Sequence, residues 1–302
     1  MIKQSACAAV PAKRPGRGGR IVAAVIAMAV LIFFACWYII PFYAMIITSF
    51  KATDAIATAV PFIWFPSPDQ LSADAYGKVF TTYTIFLTGE SMVLSGLKNT
   101  LIIAIPVTVV GIFSSGLSAF SFAKINFKFK RPLFGLLLLS MMMPGIILLI
   151  PSYMLYSELG LLNTFFPLMA PAMFGSAAGV FFLRQYFFGI PNELIDAAKV
   201  DGLNYLGIFF RVMLPLSIPA LLAQAILGFI ACYNDYLNPL IYCTEETMYT
   251  LQVALQMFSS SNSLNLPVVL AGSILAMIPC VLIYFFAQRY FVQGIVMSGL
   301  KM

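Results

Sequence analysis

The chain has 302 residues, of which 61% are hydrophobic and 9% are charged, and its mean hydropathy is +0.96. Soluble domains of this length are usually less than half apolar, so the composition assigns the chain to the membrane. The net charge of +6 does not indicate nucleic acid as a partner, because the basic residues lie beside hydrophobic runs, where they orient a protein in the membrane.

The absence of histidine excludes several kinds of functional site at once. No His-based nucleophilic triad, His-ligated metal or His proton relay is available. The cysteines are odd in number and widely spaced, which argues against a disulfide framework or a zinc site. They are Cys7, Cys36, Cys232, Cys243 and Cys280. The chain also lacks a phosphate-binding G-x-x-x-x-G-K-[ST] loop, so it cannot itself be the ATPase of a transporter.

A polar, basic tail at residues 1–20 precedes an apolar run from Ile21 to Ile47. A basic start before an apolar run also describes a signal peptide. This run, however, reaches the roughly 20 residues that cross a bilayer and exceeds a signal h-region, so we expect a retained first span. Residues 51–94 follow as an outer loop rich in proline, threonine and tyrosine.

Residues 95–290 are expected to form the main transmembrane domain, with five more spans separated by polar loops. These spans cover about Ser95–Ala123, Pro132–Tyr156, Pro167–Phe188, Leu216–Ile241 and Pro267–Phe286. The predicted fold class is therefore all-α, a polytopic membrane protein with six transmembrane helices. Residues 291–302 form a second tail, on the same side of the membrane as the first.

Two of these spans contain residues that matter for packing. In the second span, Gly111, Ser115 and Ala119 form a ridge of small residues, which suits close helix contact either within the chain or at a dimer seam. In the third span, Pro144 and Pro151 free backbone carbonyls, which fits either a span that borders a solute pathway or one that is simply kinked.

The charged segment from Asn192 to Pro215 lies between the fourth and fifth spans. Gly202 tolerates positive φ and suits a helix end or turn, whereas Pro215 marks the start or a bend of the next span. By spacing alone, the segment also fits an amphipathic loop on the membrane surface.

Charge counting orients the chain. Of the 17 basic residues, three are predicted on the outer side, which leaves 17 − 3 = 14 on the side of the charged segment. The three are Lys51, Lys78 and Lys98. The positive-inside rule then places the charged segment and both termini in the cytoplasm.

Several motifs in one order resemble a family of membrane permeases. Asp196-Ala197-Ala198, Asp201-Gly202 and Leu214-Pro215 are similar to the EAA loop of ATP-binding-cassette (ABC) importer permeases. Asp196 replaces the usual Glu, and Val212 stands where Ile is usual. Further motifs extend the resemblance to the carbohydrate-type (maltose-transporter-like) branch, from about Leu94 to the carboxyl terminus. They are Met143-Pro144-Gly145, Gly160–Thr164, Phe182–Gln185, Asn234-Asp235 and Gln288–Gly294.

The resemblance implies the MetI-like permease fold of a binding-protein-dependent importer, in the inner or plasma membrane of a prokaryotic cell. The implied partners are a second homologous permease, a homodimer of ATP-binding subunits, an extracellular solute-binding protein and membrane lipid, without nucleic acid. The chain itself would hold no cofactor, because ATP and Mg²⁺ would be bound by the ATPase subunits. The outer loops, residues 51–94 and 244–266, would meet the solute-binding protein.

The resemblance also assigns the EAA loop to contact with the ATPase. The expected coupling residues are Asp196, Ala197, Ala198, Asp201, Gly202, Leu214 and Pro215. In this interpretation the alanines permit close approach and the acids pair with bases on the partner. Phe209 and Phe210 either fill an apolar pocket or lie in the bilayer interface. Gln293 and Gly294 lie in the matching carboxyl-terminal motif.

A separate prediction concerns the solute pathway. Asp235 is the one acid near a span, and with Asn234 it either caps the outer end of the fifth helix or takes part in sugar passage or gating. Sugar sites combine aromatic faces with neutral hydrogen-bonding groups. The candidates of this kind are Tyr153, Gln224, Tyr233, Asn234, Asp235, Tyr236 and Asn238.

The sequence thus predicts a transport subunit, not an enzyme, that passes a carbohydrate by alternating access. The alternative within the class is a permease for another solute, such as glycerol phosphate, an amino acid or a peptide. An ion-driven secondary transporter would favour buried paired acids or an inverted repeat, and neither is visible in the sequence.

Overall fold

The computed structural model describes residues 17–82, 84–260 and 265–299, and these residues are mostly helical. The α-helices are α1 (Arg17–Ser49), α2 (Asp54–Ala57), α3 (Asp74–Thr81), α4 (Met92–Lys124), α5 (Lys130–Met142), α6 (Leu149–Glu158), α7 (Phe166–Met173), α8 (Ala177–Phe188), α9 (Asn192–Val200), α10 (Tyr205–Ile208), α11 (Leu214–Leu216), α12 (Ile218–Tyr233), α13 (Leu237–Tyr242), α14 (Leu251–Ser260) and α15 (Leu266–Gly299). Short 3₁₀ helices lie at Pro68–Gln70, Gly145–Leu148 and Glu246–Met248, and a π-helix lies at Phe209–Met213. The all-α fold class predicted from the sequence is confirmed.

Within the described residues, four helical segments are long and apolar enough to cross a membrane by themselves. They are Ala24–Ser49, Met92–Lys124, Phe166–Phe188 and Leu266–Phe286. Two helix pairs qualify only when each is taken as one bent span. Lys130–Met142 and Gly145–Glu158 bend by 90°, and Tyr205–Leu216 and Ile218–Tyr233 bend by 83°. The six expected spans therefore correspond to four helical segments and two bent pairs.

The bent and interrupted helices correct several expected boundaries. The third span is not one helix, since it breaks at Met143, where the following Pro144 disfavours the α conformation. The fourth is interrupted at Gly175, whose φ is +91°. The fifth ends at Tyr233, and α13 is a separate short helix. The expected tail after residue 290 continues helix α15 as far as Gly299.

Helix α4 is the centre of the fold, in contact with α7, α8, α12 and α14. Its small-residue ridge faces α7 and α8. At Gly111, an added Cβ would lie 3.0 Å from the Ala172 carbonyl oxygen, and the Ser115 hydroxyl accepts the Ser176 N–H at 3.2 Å. Ala119 is fully buried in the same core. The ridge therefore makes internal contacts and is not a dimer seam.

Both predicted outer loops are folded units. Residues 50–91 form α2, α3 and two isolated β-bridges, and α14 packs an apolar face on α4 and α15. Lys51, counted as an outer base, is buried with its ammonium 3.8 Å from the centre of the Phe62 ring. This burial lowers the pKa of Lys51. The Tyr76 hydroxyl bonds the Ser49 hydroxyl at 2.9 Å, so the described part of this segment is held against the end of α1.

Candidate functional site

The charged segment folds into two short helices joined by a turn, at the carboxyl end of α4. Helix α9 begins directly after Pro191 and ends at the Asp201-Gly202 turn. Gly202 has φ of +81°, the conformation expected for it, and Asn204 then caps α10 by accepting the Gly207 N–H at 2.8 Å. The sharp bend into α12 follows α11 and lies at Ser217, two residues beyond Pro215.

Helix α9 has one buried and one exposed face. Ile195 and Ala198 are only 3% and 5% exposed and belong to a core shared with α4 and α8. The exposed face carries Glu193, Asp196, Ala197 and Asp201. The expectation that both alanines contact a partner is therefore corrected for Ala198, whose methyl group packs inside the chain.

The residues after the turn also divide into buried and exposed ones. Leu214 is half-buried against the core and Pro215 is exposed. Phe209 is fully buried, with its ring centroid 5.7 Å from that of Phe120, so it fills neither a partner pocket nor the bilayer interface. Phe210 is exposed. Of these four residues, Phe210 and Pro215 have exposed side chains that are available to another molecule.

Lys124 fastens the start of this unit to α4, and Arg184 joins the neighbouring α8 to α4. The Lys124 ammonium donates to the Ile190 carbonyl oxygen at 2.6 Å and to Asn192 Oδ1 at 2.7 Å. The Arg184 Nε–H donates to the Phe122 carbonyl oxygen at 3.2 Å. From the sequence, both bases counted towards membrane orientation, and Arg184 was also part of the Phe182–Gln185 motif. For Lys124, the missed sequence signal is its position in the last turn of α4, because a cation there interacts favourably with the free carbonyl groups at the helix end.

Replacing Lys124 with methionine is expected to loosen α9 without unfolding the chain. The two charge-assisted bonds are partly exposed and together contribute about 1.5–3 kcal/mol, so we expect α9 amides to exchange hydrogen on the order of tenfold to a hundredfold faster. Hydrogen–deuterium exchange of the solubilised protein measures this directly, with α12 as the internal reference. Lys124→Arg should restore most of the protection; unchanged exchange in Lys124→Met would contradict the assignment.

A cavity of about 980 Å³ lies against α4, walled also by α6, α7, α12 and α13. Its polar lining consists mainly of neutral groups, with Asp235 as the one carboxylate in the lining. These polar residues are Thr108, Ser115, Ser152, Tyr156, Ser176, Gln224, Cys232, Asp235, Asn238 and Tyr242. The helix breaks at Gly145 and Gly175 both border the cavity, as expected for irregular backbone at membrane depth. The buried Thr108 hydroxyl has no hydrogen-bond partner among the described residues.

Three of the seven pathway candidates line this cavity, namely Gln224, Asp235 and Asn238. The other four lie outside the lining, and the structure contradicts a pathway role for Tyr233 among them. Tyr233 is 1% exposed and donates to the Ala276 carbonyl oxygen at 2.9 Å, so it packs α12 against α15. The Asn234 side chain accepts from Gln252 Nε2 at 3.2 Å. The exposed Tyr153 and Tyr236 lie outside the lining.

The Asp235 carboxylate has a structural contact as well as a place in the cavity wall. It accepts the Asn238 N–H at 3.3 Å and the Asn238 side-chain amide at 2.9 Å. The Asp235 side chain therefore binds the first turn of α13, whereas Asn234 is the C-cap residue at the end of α12, so the expected cap of the fifth helix is confirmed for Asn234. Asp235 and Asn238 form one polar pair at the cavity edge.

A second polar joint closes the outer end of the cavity wall. Asn163, in the left-handed region at φ +54°, accepts the Thr244 N–H at 2.7 Å and the Thr244 hydroxyl at 3.0 Å. Beside it, the buried Cys243 thiol donates to the Thr164 carbonyl oxygen, and burial raises the pKa of Cys243 to about 11. This joint ties the turn between α6 and α7 to the folded outer segment.

Comparison with known proteins agrees with this architecture. Residues 108–297 match a sequence family described as "binding-protein-dependent transport system inner membrane component". The chain is 34% identical to the arabinooligosaccharides transport system permease protein AraQ of Halalkalibacterium halodurans, over 89% of this chain and 93% of that protein. The lactose transport system permease protein LacG of Rhizobium radiobacter is 36% identical over 66% of this chain and 73% of that protein.

A solved structure supports the fold. A crystal structure of a bacterial ABC transporter involved in import of the acidic polysaccharide alginate contains a chain that matches with a TM-score of 0.77. The match is 23% identical and covers 93% of this chain and all of that one.

Proposed function

The chain belongs to the family of binding-protein-dependent transport system inner membrane components, and we propose that the solute it passes is a carbohydrate of oligosaccharide size. It is a multi-pass membrane permease subunit of an ABC importer and not an enzyme, and it works with a separate ATPase and a solute-binding protein. The solute class, the residues that line its path and the residues that couple its transport to ATP hydrolysis are proposed below from the geometry.

The cavity is the observation that carries the solute proposal. Its volume of about 980 Å³ is at the upper end of the ~300–1,000 Å³ usual for small-molecule sites, which suits a solute larger than one sugar ring. Neutral amide and hydroxyl groups in its wall, including Gln224, Asn238 and Thr108, match the hydroxyls of a sugar. Relatives named for arabinooligosaccharide and lactose transport support the same class.

For coupling, we propose that the exposed face of α9 docks on the ATPase in the cytoplasm. The acids Glu193, Asp196 and Asp201 would pair with bases of the partner, and Ala197 would allow close approach. Lys124 then links α9 to α4, which carries one wall of the cavity, so movement of α9 reaches that wall through a rigid joint. Both chain termini lie on this cytoplasmic side in the proposed orientation.

The complete transporter would contain a second, homologous permease and two identical ATP-binding subunits. ATP and Mg²⁺ would be held by those subunits. In the most apolar stretch of the α1 span, no residue is buried within this chain. This exposed surface fits a helix that faces lipid in the assembled transporter. Alternating access would expose the cavity outward when the ATPases close on ATP and inward when they separate.

A strain from which this chain is deleted tests the solute class. We expect the strain to lose both growth on short oligosaccharides, such as arabinooligosaccharides, and their uptake. Uptake of glycerol phosphate, amino acids and peptides should be unchanged. Complementation with the intact chain is the control. Loss of glycerol phosphate or amino acid uptake with intact oligosaccharide uptake would assign the permease to that other solute.

We expect Asp235→Asn to impair oligosaccharide transport while leaving the fold intact. A hydrogen bond to a charged group contributes about 1.5–3 kcal/mol, so the apparent affinity for solute should weaken roughly tenfold or more. Initial uptake rates at varied solute concentration measure this. Asn234→Ala is the matched control, because that neighbour lies outside the cavity lining; equal losses in the two variants would remove Asp235 from the pathway.

A further inference from the structure

A basic and aromatic groove lies in the loop between α4 and α5, at the same end of α4 as α9. Its volume is about 420 Å³. The residues that line it are Asn126, Phe127, Phe129, Lys130, Arg131 and Pro132. It is separate from the solute cavity and from the exposed face of α9, and neither of those sites accounts for it.

The loop backbone is shaped to present these side chains. Phe129 adopts the left-handed conformation, with φ of +66°, which an aromatic residue rarely does. The Lys130 ammonium closes the loop by donating to the Ile125 carbonyl oxygen at 2.8 Å. As a result, the Phe129 ring is 63% exposed and the Phe127 ring beside it is also exposed.

The positive charge of this groove has no counter-charge within the described part of the chain. The ion pair found among the described residues joins Lys199 to Asp196, which are far along the chain from this loop. The Arg131 guanidinium has no hydrogen bond or ion pair among the described residues, and Lys128 contacts only the Phe129 ring, at 5.3 Å. Lys128 and Arg131 are both exposed, so they are free to meet an anion of another molecule.

The apolar neighbours of these bases identify the anion's source. Exposed Leu133 and Leu136 continue from Phe129 along the outside of α5, which is part of a membrane-crossing pair. Bases beside exposed rings and an apolar helix face are typical of surfaces that bind anionic lipid headgroups. We propose that this groove binds the phosphate of an anionic phospholipid, with Arg131 of the lining and the adjacent Lys128 at the phosphate and Phe127 and Phe129 at the upper acyl chains.

The ATPase is the less suitable occupant on electrostatic grounds. The exposed face of α9 carries Glu193, Asp196 and Asp201, so a partner surface that meets it is expected to be basic. A basic partner surface would repel Lys128 and Arg131. This choice uses the coupling proposed above, whereas the lipid test that follows does not depend on the identity of the solute.

Lipid retention by the complete importer tests the proposal. The purified complex is equilibrated with detergent micelles that contain equal parts of phosphatidylglycerol and phosphatidylcholine, and native mass spectrometry measures the ratio of the two lipids retained. Removal of one base near the headgroups is expected to lower the ratio of retained phosphatidylglycerol to phosphatidylcholine about fivefold. Arg131→Gln should therefore lower the phosphatidylglycerol ratio about fivefold, and Lys128→Gln with Arg131→Gln about 25-fold.

The matched control removes the same charge elsewhere, as Lys78→Gln with Lys98→Gln, two exposed bases towards the other end of the fold. The proposal expects the control to retain the normal lipid ratio. A ratio unchanged in the loop variants, or lowered equally in the control, overturns it. Loss of the ATPase subunits from the loop variants in phosphatidylcholine alone also overturns it, because the groove would then belong to the ATPase interface.

Discussion

Ala197→Glu is expected to release the ATPase subunits from the importer while the permease itself stays folded. Ala197 lies on the exposed face of α9, where a longer, charged side chain would prevent close approach of the partner. Central interface residues commonly contribute 2 kcal/mol or more, so we expect association to weaken at least about 30-fold. The measurement is the amount of ATPase that co-purifies with a tagged permease, together with ATP-dependent uptake.

Ala198→Glu provides the contrasting result, because the neighbouring alanine is buried in the permease core. An unpaired carboxylate there costs about 3–5 kcal/mol, so this variant should lower the thermal unfolding temperature of the isolated chain. Ala197→Glu should leave that temperature unchanged. If Ala197→Glu retains the ATPase and normal uptake, α9 is not the docking element.

Gly175→Ala is expected to be among the most destabilising single substitutions in the chain. Gly175 has φ of +91°, and an added Cβ would lie 2.5 Å from the Ser115 hydroxyl oxygen and 2.9 Å from the Ser115 nitrogen. Backbone strain of about 1–2 kcal/mol adds to an overpacking cost of about 1–3 kcal/mol. Thermal unfolding of the purified chain should show the loss, and uptake should fall because Gly175 also lines the cavity.

Gly160→Ala separates the two causes of that loss. Gly160 has a comparable φ of +66°, but nothing lies within 4 Å of an added Cβ. This control should therefore lose only the strain contribution of about 1–2 kcal/mol. Equal destabilisation in the two variants would show that the close contact between Gly175 and Ser115 contributes nothing.

Features set by local sequence were predicted well. Apolar length located the spans, and Gly202 was expected to turn the chain, as its positive φ confirms. The order of the EAA-type motifs identified the family, because several spaced pieces matched together. The break at Met143-Pro144 was foreseen either as a border of the solute pathway or as a simple kink, and its angle of 90° was not, since a proline indicates an interruption without setting its angle.

Features set by tertiary contact were not predictable from one sequence. Ala197 and Ala198 are adjacent and chemically identical, and only the packing of α9 against α10 and the π-helix makes one accessible and the other buried. Tyr233 had the right chemistry for a sugar site, but α12 turns it towards α15. Lys124 was seen as one of many inner bases, because its partners Ile190 and Asn192 are distant in sequence.

Uptake by proteoliposomes that contain the complete importer tests the central claim most directly. The claim is that this chain passes an oligosaccharide in response to ATP hydrolysis by a partner. We predict uptake of labelled oligosaccharide only with the solute-binding protein outside and ATP with Mg²⁺ on the ATPase side, and no effect of ionophores. Uptake that continues without ATP and collapses when ion gradients are dissipated would contradict the account and indicate an ion-driven transporter.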